Sequence, residues 1–216
     1  MSLIDIFQHL LPGIGKTIGI FVCTLVFSMP LGLMIAFGRM SKCFIVRNVV
    51  KLYISVMRGT PLMLQLMVVY FGPYFIFRIQ ISSSYRLYAV LIAFALNYAA
   101  YFAEIYRGGI ESMPQGQYEA AKILGYSRGQ TFFRIILPQV IKRILPSVTN
   151  ETITLVKDTS LAFTIGVMEM FTVAKALTAS QTSLLPLVFA GVFYYVFNFI
   201  VAFVMERIEK KLNYYR

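Results

Sequence analysis

Five apolar runs, at about 14–37, 61–77, 87–105, 146–167 and 184–205, constrain this chain more than any other feature. Each is close to the ~20 residues that a helix needs to cross a hydrocarbon layer. No water pairs with backbone N–H and C=O groups there, so a spanning segment must satisfy its own backbone, which a helix does. With 58% of its 216 residues apolar, the chain is too greasy for a soluble domain of this length. The expectation is an all-α integral membrane helical bundle of five transmembrane helices, one domain over residues 1–216.

The net charge of +11 invites a nucleic-acid reading, but the placement of the charges excludes it. With the N-terminus outside, five spans leave 39–58, 107–143 and 207–216 in the cytoplasm, with five, six and four Lys and Arg in turn. The outer segments hold only Lys16, Arg78, Arg86 and Lys175, and Lys157 falls within a span. That asymmetry is the positive-inside rule. The C-terminus is then expected in the cytoplasm.

Residues 1–11 are weakly amphipathic and read as a helix on the outer membrane surface, which Pro12 and Gly13 turn into the first span. Gly15-Lys16-Thr17 looks like part of a phosphate-binding loop, but position 10 is Leu10 where the first glycine is required. No nucleotide site is expected in this chain. Cys23 and Cys43 suggest no disulfide, His9 no metal site, and the N-terminus no cleaved signal.

Arg58-Gly59-Thr60-Pro61 loosens the backbone where the second span begins, freeing polar groups that protein must cover. Further on, Asn97, Tyr101 and Glu104 share one helix face, and Gly108-Gly109 with Pro114 are expected to end that helix. Pro146 is expected in the first turn of the fourth span. Ser147, Asn150/Glu151, Thr154 and Lys157/Asp158 then recur at spacings of three and four as a polar stripe. Lys157 lies ~16 Å along that helix, near mid-bilayer, where charge is expensive and marks function.

Between the third and fourth spans, about 112–138, lies a polar, basic segment. It reads Glu119-Ala120-Ala121, three residues, Gly125, nine residues, Ile135, one residue, Leu137-Pro138. Residues 118–124 are good helix formers and Gly125 suits a helix stop, so two short helices joined at a glycine should project as a rigid knob ending at Pro138.

Position for position, this spacing resembles the coupling-helix loop in the membrane-spanning subunits of ATP-binding-cassette importers. Arg58-Gly59-Thr60-Pro61 with Leu62 and Gln65-Leu66, Tyr101-Phe102-Ala103-Glu104-Ile105-Tyr106-Arg107-Gly108-Gly109-Ile110, and Lys157-Asp158-Thr159-Ser160-Leu161 resemble the polar amino acid branch of those permeases. The resemblance implies a cytoplasmic loop docked on an ATPase subunit through Glu119, Ala120, Ala121, Gly125, Leu137 and Pro138. It also implies two ATP-binding subunits, a second permease copy or a related chain, and an extracytoplasmic solute-binding protein. ATP and Mg would reside on the partner ATPase, with no cofactor on this chain and no catalytic residue in it.

A zwitterionic cargo needs an anion for its ammonium and a donor for its carboxylate, which Thr60, Asn97, Glu104, Lys157 and Asp158 offer as a substrate path. The surplus of carboxylates leans toward basic amino acids. In the other reading the same charges neutralise one another and set packing. An ion-coupled secondary carrier, with Glu104 and Asp158 relaying ions, is the alternative function; it leaves the knob without a task.

The topology has a direct check. In a chain lacking Cys23 and Cys43, a cysteine at Ser82 should react with an impermeant thiol reagent added outside intact cells, and one at Arg128 should not. Labelling of position 128 from outside would overturn the orientation.

Overall fold

The computed structural model describes residues 3–212, and within them every regular element is a helix. In chain order α1 spans Leu3–Arg39, α2 Phe44–Gly59, α3 Leu62–Phe77 and α4 Tyr85–Glu111. The short α5 (Gln115–Ile123) and α6 (Arg128–Gln130) lead through a π-type segment, Thr131–Ile136, into α7 (Leu137–Asp158). A 3₁₀ stretch, Thr159–Ile165, then precedes α8 (Met170–Gln181) and α9 (Leu185–Leu212). Three helices, α1, α4 and α9, are each long and apolar enough to cross a membrane. Two bent pairs are long and apolar enough only when taken together: α2 with α3, turned by 110°, and residues 128–165 with α8, turned by 57°. With each bent pair counted as one span, the total is five.

The bundle is built around α4, which buries Ala89, Ala93, Ala99, Ala100 and Ala103 together with Phe94, Tyr98 and Phe102. Lipid tails are as apolar as leucine, so helices in a bilayer associate by close van der Waals packing, which small residues allow. α1 packs on α4 more extensively than any other pair of elements does. At their crossing a Cβ on Gly32 would lie 2.8 Å from the Phe102 Cβ and 3.0 Å from the Ala99 carbonyl oxygen. Gly32 is what permits that approach.

Several boundary expectations are corrected, and in each case tertiary packing overrides a local stop signal. Pro12 and Gly13 do not turn the chain, because α1 is one helix that passes through Pro12 and Pro30. Its first turns are not a surface helix: Ile6 and Leu10 are buried against Met170, Ala174 and Ala190. Gly13 serves close approach, since a Cβ there would sit 3.0 Å from the Met170 Cα and N. Likewise Gly108 and Gly109 do not end α4, which continues to Glu111. A Cβ on Gly109 would collide with the Ile144 Cγ2 at 2.2 Å, so this glycine lets α7 lie against α4.

Proline misled in the same way. The knob's second helix does not end at Pro138, and Pro146 lies inside α7 rather than in its first turn. A proline costs a helix one hydrogen bond and a clash with the preceding turn. The wider π segment sits immediately before Pro138 and accommodates that defect. Beside it, the Gln139 Nε2 donates to the Ile135 carbonyl at 2.7 Å.

These contacts rank three alanine substitutions. Gly32→Ala meets backbone and a Cβ that cannot swing away, and should destabilise by about 1–3 kcal/mol. Gly109→Ala meets the tip of an isoleucine that can change rotamer and should cost less. Gly108, with nothing within 4 Å of a Cβ, should tolerate alanine. Thermal unfolding of the detergent-solubilised protein would show the order, and equal midpoints for the three would refute the packing account.

Candidate functional site

The site begins at the break between α2 and α3. Thr60 and Pro61 are extended, so the last carbonyls of α2 have no intrahelical partner. The Gln65 Nε2 donates to the carbonyl of Met57 (2.9 Å), to that of Thr60 (3.1 Å) and to the Thr60 hydroxyl (2.8 Å). From α4 the Asn97 Nδ2 donates to the same Met57 carbonyl (3.1 Å) and to the Gln65 Oε1 (2.9 Å). The Thr60 hydroxyl itself donates to the Val56 carbonyl at 2.8 Å. Its single proton, and the amide of Asn97, are thus committed to holding the break open.

Held this way, the break forms one wall of a cavity of about 320 Å³. Its lining joins Thr60, Pro61 and Leu62 to Asn97, Tyr98 and Tyr101 of α4 and to Glu151, Thr154 and Asp158 of α7. Tyr98 is buried and its hydroxyl donates to the Asp158 Oδ2 at 2.7 Å, which fixes that carboxylate. Two carboxylates and no Lys or Arg line the cavity among the described residues. A site of this composition in apolar surroundings attracts a cation.

Of the residues expected in a substrate path, the fold brings Thr60, Asn97 and Asp158 together here. It does not bring Glu104 or Lys157 to the cavity. Lys157 is exposed and is not among its lining residues. Glu104 lies beyond the cavity toward the C-terminal end of α4, where Arg107 holds both its oxygens, Nη2 at 2.6 Å and Nε at 3.1 Å. Arg58 adds a longer contact of 3.9 Å.

Glu151 and Thr154 lay on the polar stripe read from sequence, but the stripe alone could not rank them above Ser147 or Lys157. Gln65 was visible only as part of a motif. Glu169 gave no signal, yet it is fully buried and caps α8 through the backbone N–H groups of Phe171 and Thr172, both at 2.7 Å. The Tyr194 hydroxyl donates to it at 3.0 Å, tying α8 to α9.

The knob precedes the N-terminal end of α7, whereas the cavity is lined by the C-terminal half of that helix. Gly125 has φ +79°, a left-handed conformation that glycine adopts without strain. The amides of Gly125 and Tyr126 return to the carbonyls of Lys122 and Ala121, closing α5. Ser127 and Gln130 form a reciprocal capping box that opens α6. Ala121 is buried, Leu137 half-buried, and Glu119, Ala120, Gly125 and Pro138 are exposed. Paired amides of Gln117 and Gln139, 2.8 and 2.7 Å apart, lock the knob to α7. Its tip presents Ile123 and Leu124, 86% and 74% exposed, an apolar surface with no cover among the described residues.

Comparisons with known proteins agree with this architecture. Residues 28–214 match the family described as binding-protein-dependent transport system inner membrane component. The arginine transport system permease protein ArtQ of Bacillus subtilis is 37% identical over 205 residues, covering 94% of this chain and 92% of that protein. The L-cystine transport system permease protein TcyB of the same organism is 37% identical over 206 residues, covering 94% and 86%. Among solved structures, a chain of an amino acid ABC transporter with histidines superposes with a TM-score of 0.88 at 29% identity, covering 97% of both chains. A chain of the MetNI methionine ABC transporter shares the fold, with a TM-score of 0.77 at 16% identity. The chain belongs to the binding-protein-dependent transport system inner membrane components, the permease subunits of ATP-binding-cassette importers.

Proposed function

We propose that this permease imports amino acids, with a lean toward basic ones, and that the cavity bounded by Glu151 and Asp158 holds the cargo's cationic group. The observation that carries the reading is the lining itself: two carboxylates and no cation among the described residues around about 320 Å³. An amino acid brings an ammonium group, and a basic one brings a second cation to match the second carboxylate. The names of the relatives, an arginine and an L-cystine transport permease protein, support the substrate class.

Two copies facing each other enclose the path, as symmetry favours. A homodimer is the simplest assembly; a related second chain would serve as well. The knob, with Glu119 exposed at its side and Ile123 and Leu124 at its tip, docks on an ATP-binding subunit. Two such subunits bind ATP and Mg and carry out hydrolysis, while this chain binds no cofactor and moves. A solute-binding protein delivers cargo at the outer face. An ion-coupled carrier would leave the exposed knob without a partner.

Uptake of labelled arginine, glutamine and glutamate into proteoliposomes holding the permease, its ATPase and its binding protein tests the reading. Arginine should be preferred, and Glu151→Gln should cut its uptake about tenfold or more with basal ATP hydrolysis little changed. Glutamate as the preferred cargo would overturn it.

The same vesicles test coupling. Glu119→Lys reverses a charge suited to a basic groove, and Gly125→Asp strains the left-handed turn. Both should insert normally yet lose cargo-stimulated ATP hydrolysis. Normal hydrolysis and transport by both variants would remove the knob from the coupling step.

A further inference from the structure

Arg58 opens the Arg-Gly-Thr-Pro run but does not line the cargo cavity. It sits against the cavity's outer wall instead. Its guanidinium carbon lies 5.2 Å from the centre of the Tyr101 ring, and that ring is cavity lining. On the other side, Arg58 lines a second pocket of about 380 Å³ with Arg39, Lys51, Gly59 and Glu104. Arg39 and Lys51 belong to the basic connection that the charge asymmetry places in the cytoplasm. The three residues 58–60 therefore divide two spaces: Thr60 borders the cargo cavity, while Arg58 and Gly59 border the cytoplasmic pocket.

Arg58 is loosely held. Glu104 is already held twice by Arg107, which leaves Arg58 3.9 Å away, beyond hydrogen-bond reach. The Arg58 side chain is 46% exposed, and Gly59 next to it has open space where a Cβ would be. By contrast the adjoining backbone cannot move, because Gln65 and Asn97 pin the carbonyls of Met57 and Thr60. A guanidinium on an aromatic face is attracted by the ring, yet the contact is not directional enough to lock it. In this one conformation Arg58 lies against the Tyr101 face and, less closely, the Glu104 carboxylate, so a shift from the first to the second needs only that the longer contact shorten.

We propose that Arg58 is the plug between the cargo cavity and the cytoplasm. Seated on Tyr101, it closes the cavity floor and repels cations approaching from the cytoplasmic side. Drawn fully onto Glu104, it clears the floor and lets a cationic cargo leave. Glu104 is then the receiver for the plug rather than a cargo ligand, and Arg107 is its anchor. The cargo assignment rests on the function proposed above; the plug does not require it.

A cysteine in place of Thr154, which lines the cavity, reports access from the cytoplasm. The permease–ATPase complex carrying Thr154→Cys, with Cys23→Ser and Cys43→Ser, would be placed in inside-out vesicles. An impermeant trimethylammonium methanethiosulfonate is the probe. Labelling should be slow with Arg58 present and about tenfold or more faster with Arg58→Ala, the scale on which a focused charge alters encounter rates. Tyr101→Leu keeps the charge but removes its seat, and should accelerate labelling too, so the test survives if Arg58→Ala does not assemble. Unchanged labelling in the assembled variants would overturn the plug. Arginine uptake in parallel separates the two ideas: a parent complex that carries no arginine refutes the cargo, and the labelling ratio still decides the plug.

Discussion

A helix that breaks beside a membrane's apolar interior strands carbonyl groups where water cannot reach them, at a cost of several kcal/mol for each one left unpaired. The α2–α3 corner turns by 110°, and two side-chain amides, Gln65 and Asn97, cover its loose ends while also bonding to each other. An apolar residue of similar size at Gln65 would take the side-chain donor from the Thr60 carbonyl, and one at Asn97 would take the second donor from the Met57 carbonyl and the partner of the Gln65 Oε1. The bend leaves space at Thr60 and Pro61, and that space borders α4 and α7 as the cavity. Asn97 on α4 thus ties down a corner between two other helices, and the cavity borders that bond.

The same economy runs through α4. Its alanines and the glycines facing it, Gly32 on α1 and its own Gly109 toward α7, bring backbones close enough for dispersion to replace the missing hydrophobic drive. The polar face of α4 is then held at fixed depth against the break on one side and α7 on the other. Tyr98 shows both roles in one residue: its ring lies in the main core, and its hydroxyl holds Asp158.

Composition and charge were enough to read the membrane bundle, its all-helical class and the existence of the knob, because these depend on summed hydropathy and local helix signals. Gly125 was legible for the same reason: a left-handed turn after a run of helix formers is a local requirement. Pro12, Gly109, Pro138 and Pro146 were misread because a breaker and a packing residue look alike in sequence. Only the neighbour decides: Met170 for Gly13, Ile144 for Gly109, and the π segment for Pro138. In the site, periodicity placed Asp158 on the polar stripe but could not show that Lys157, one residue earlier, faces elsewhere. A step of one residue rotates ~100° around a helix, so adjacent charges seldom share a surface. Glu104 shared a face with Asn97, yet seven residues is ~10 Å along the axis, enough to leave the cavity and join Arg107.

The knob and the cavity belong to one mechanical element. α6, the π segment and α7 run end to end from Arg128 to Asp158, so the loop that projects from the membrane and the carboxylates of the cavity lie on the same rod. Had Pro138 or Pro146 broken that rod, a push at Ile123 and Leu124 would dissipate in a hinge. The continuity instead joins the base of the knob to Glu151 and Asp158, ~21 Å and ~32 Å along α7. The α2–α3 corner is tied to α4 through Asn97 rather than to α7. Of the two carboxylates on α7, Asp158 is tied to α4 through the Tyr98 hydroxyl, and Glu151 faces the wall of Thr60, Asn97 and Tyr101 without such a tie to α4, so a shift of α7 would change the cavity at Glu151 first.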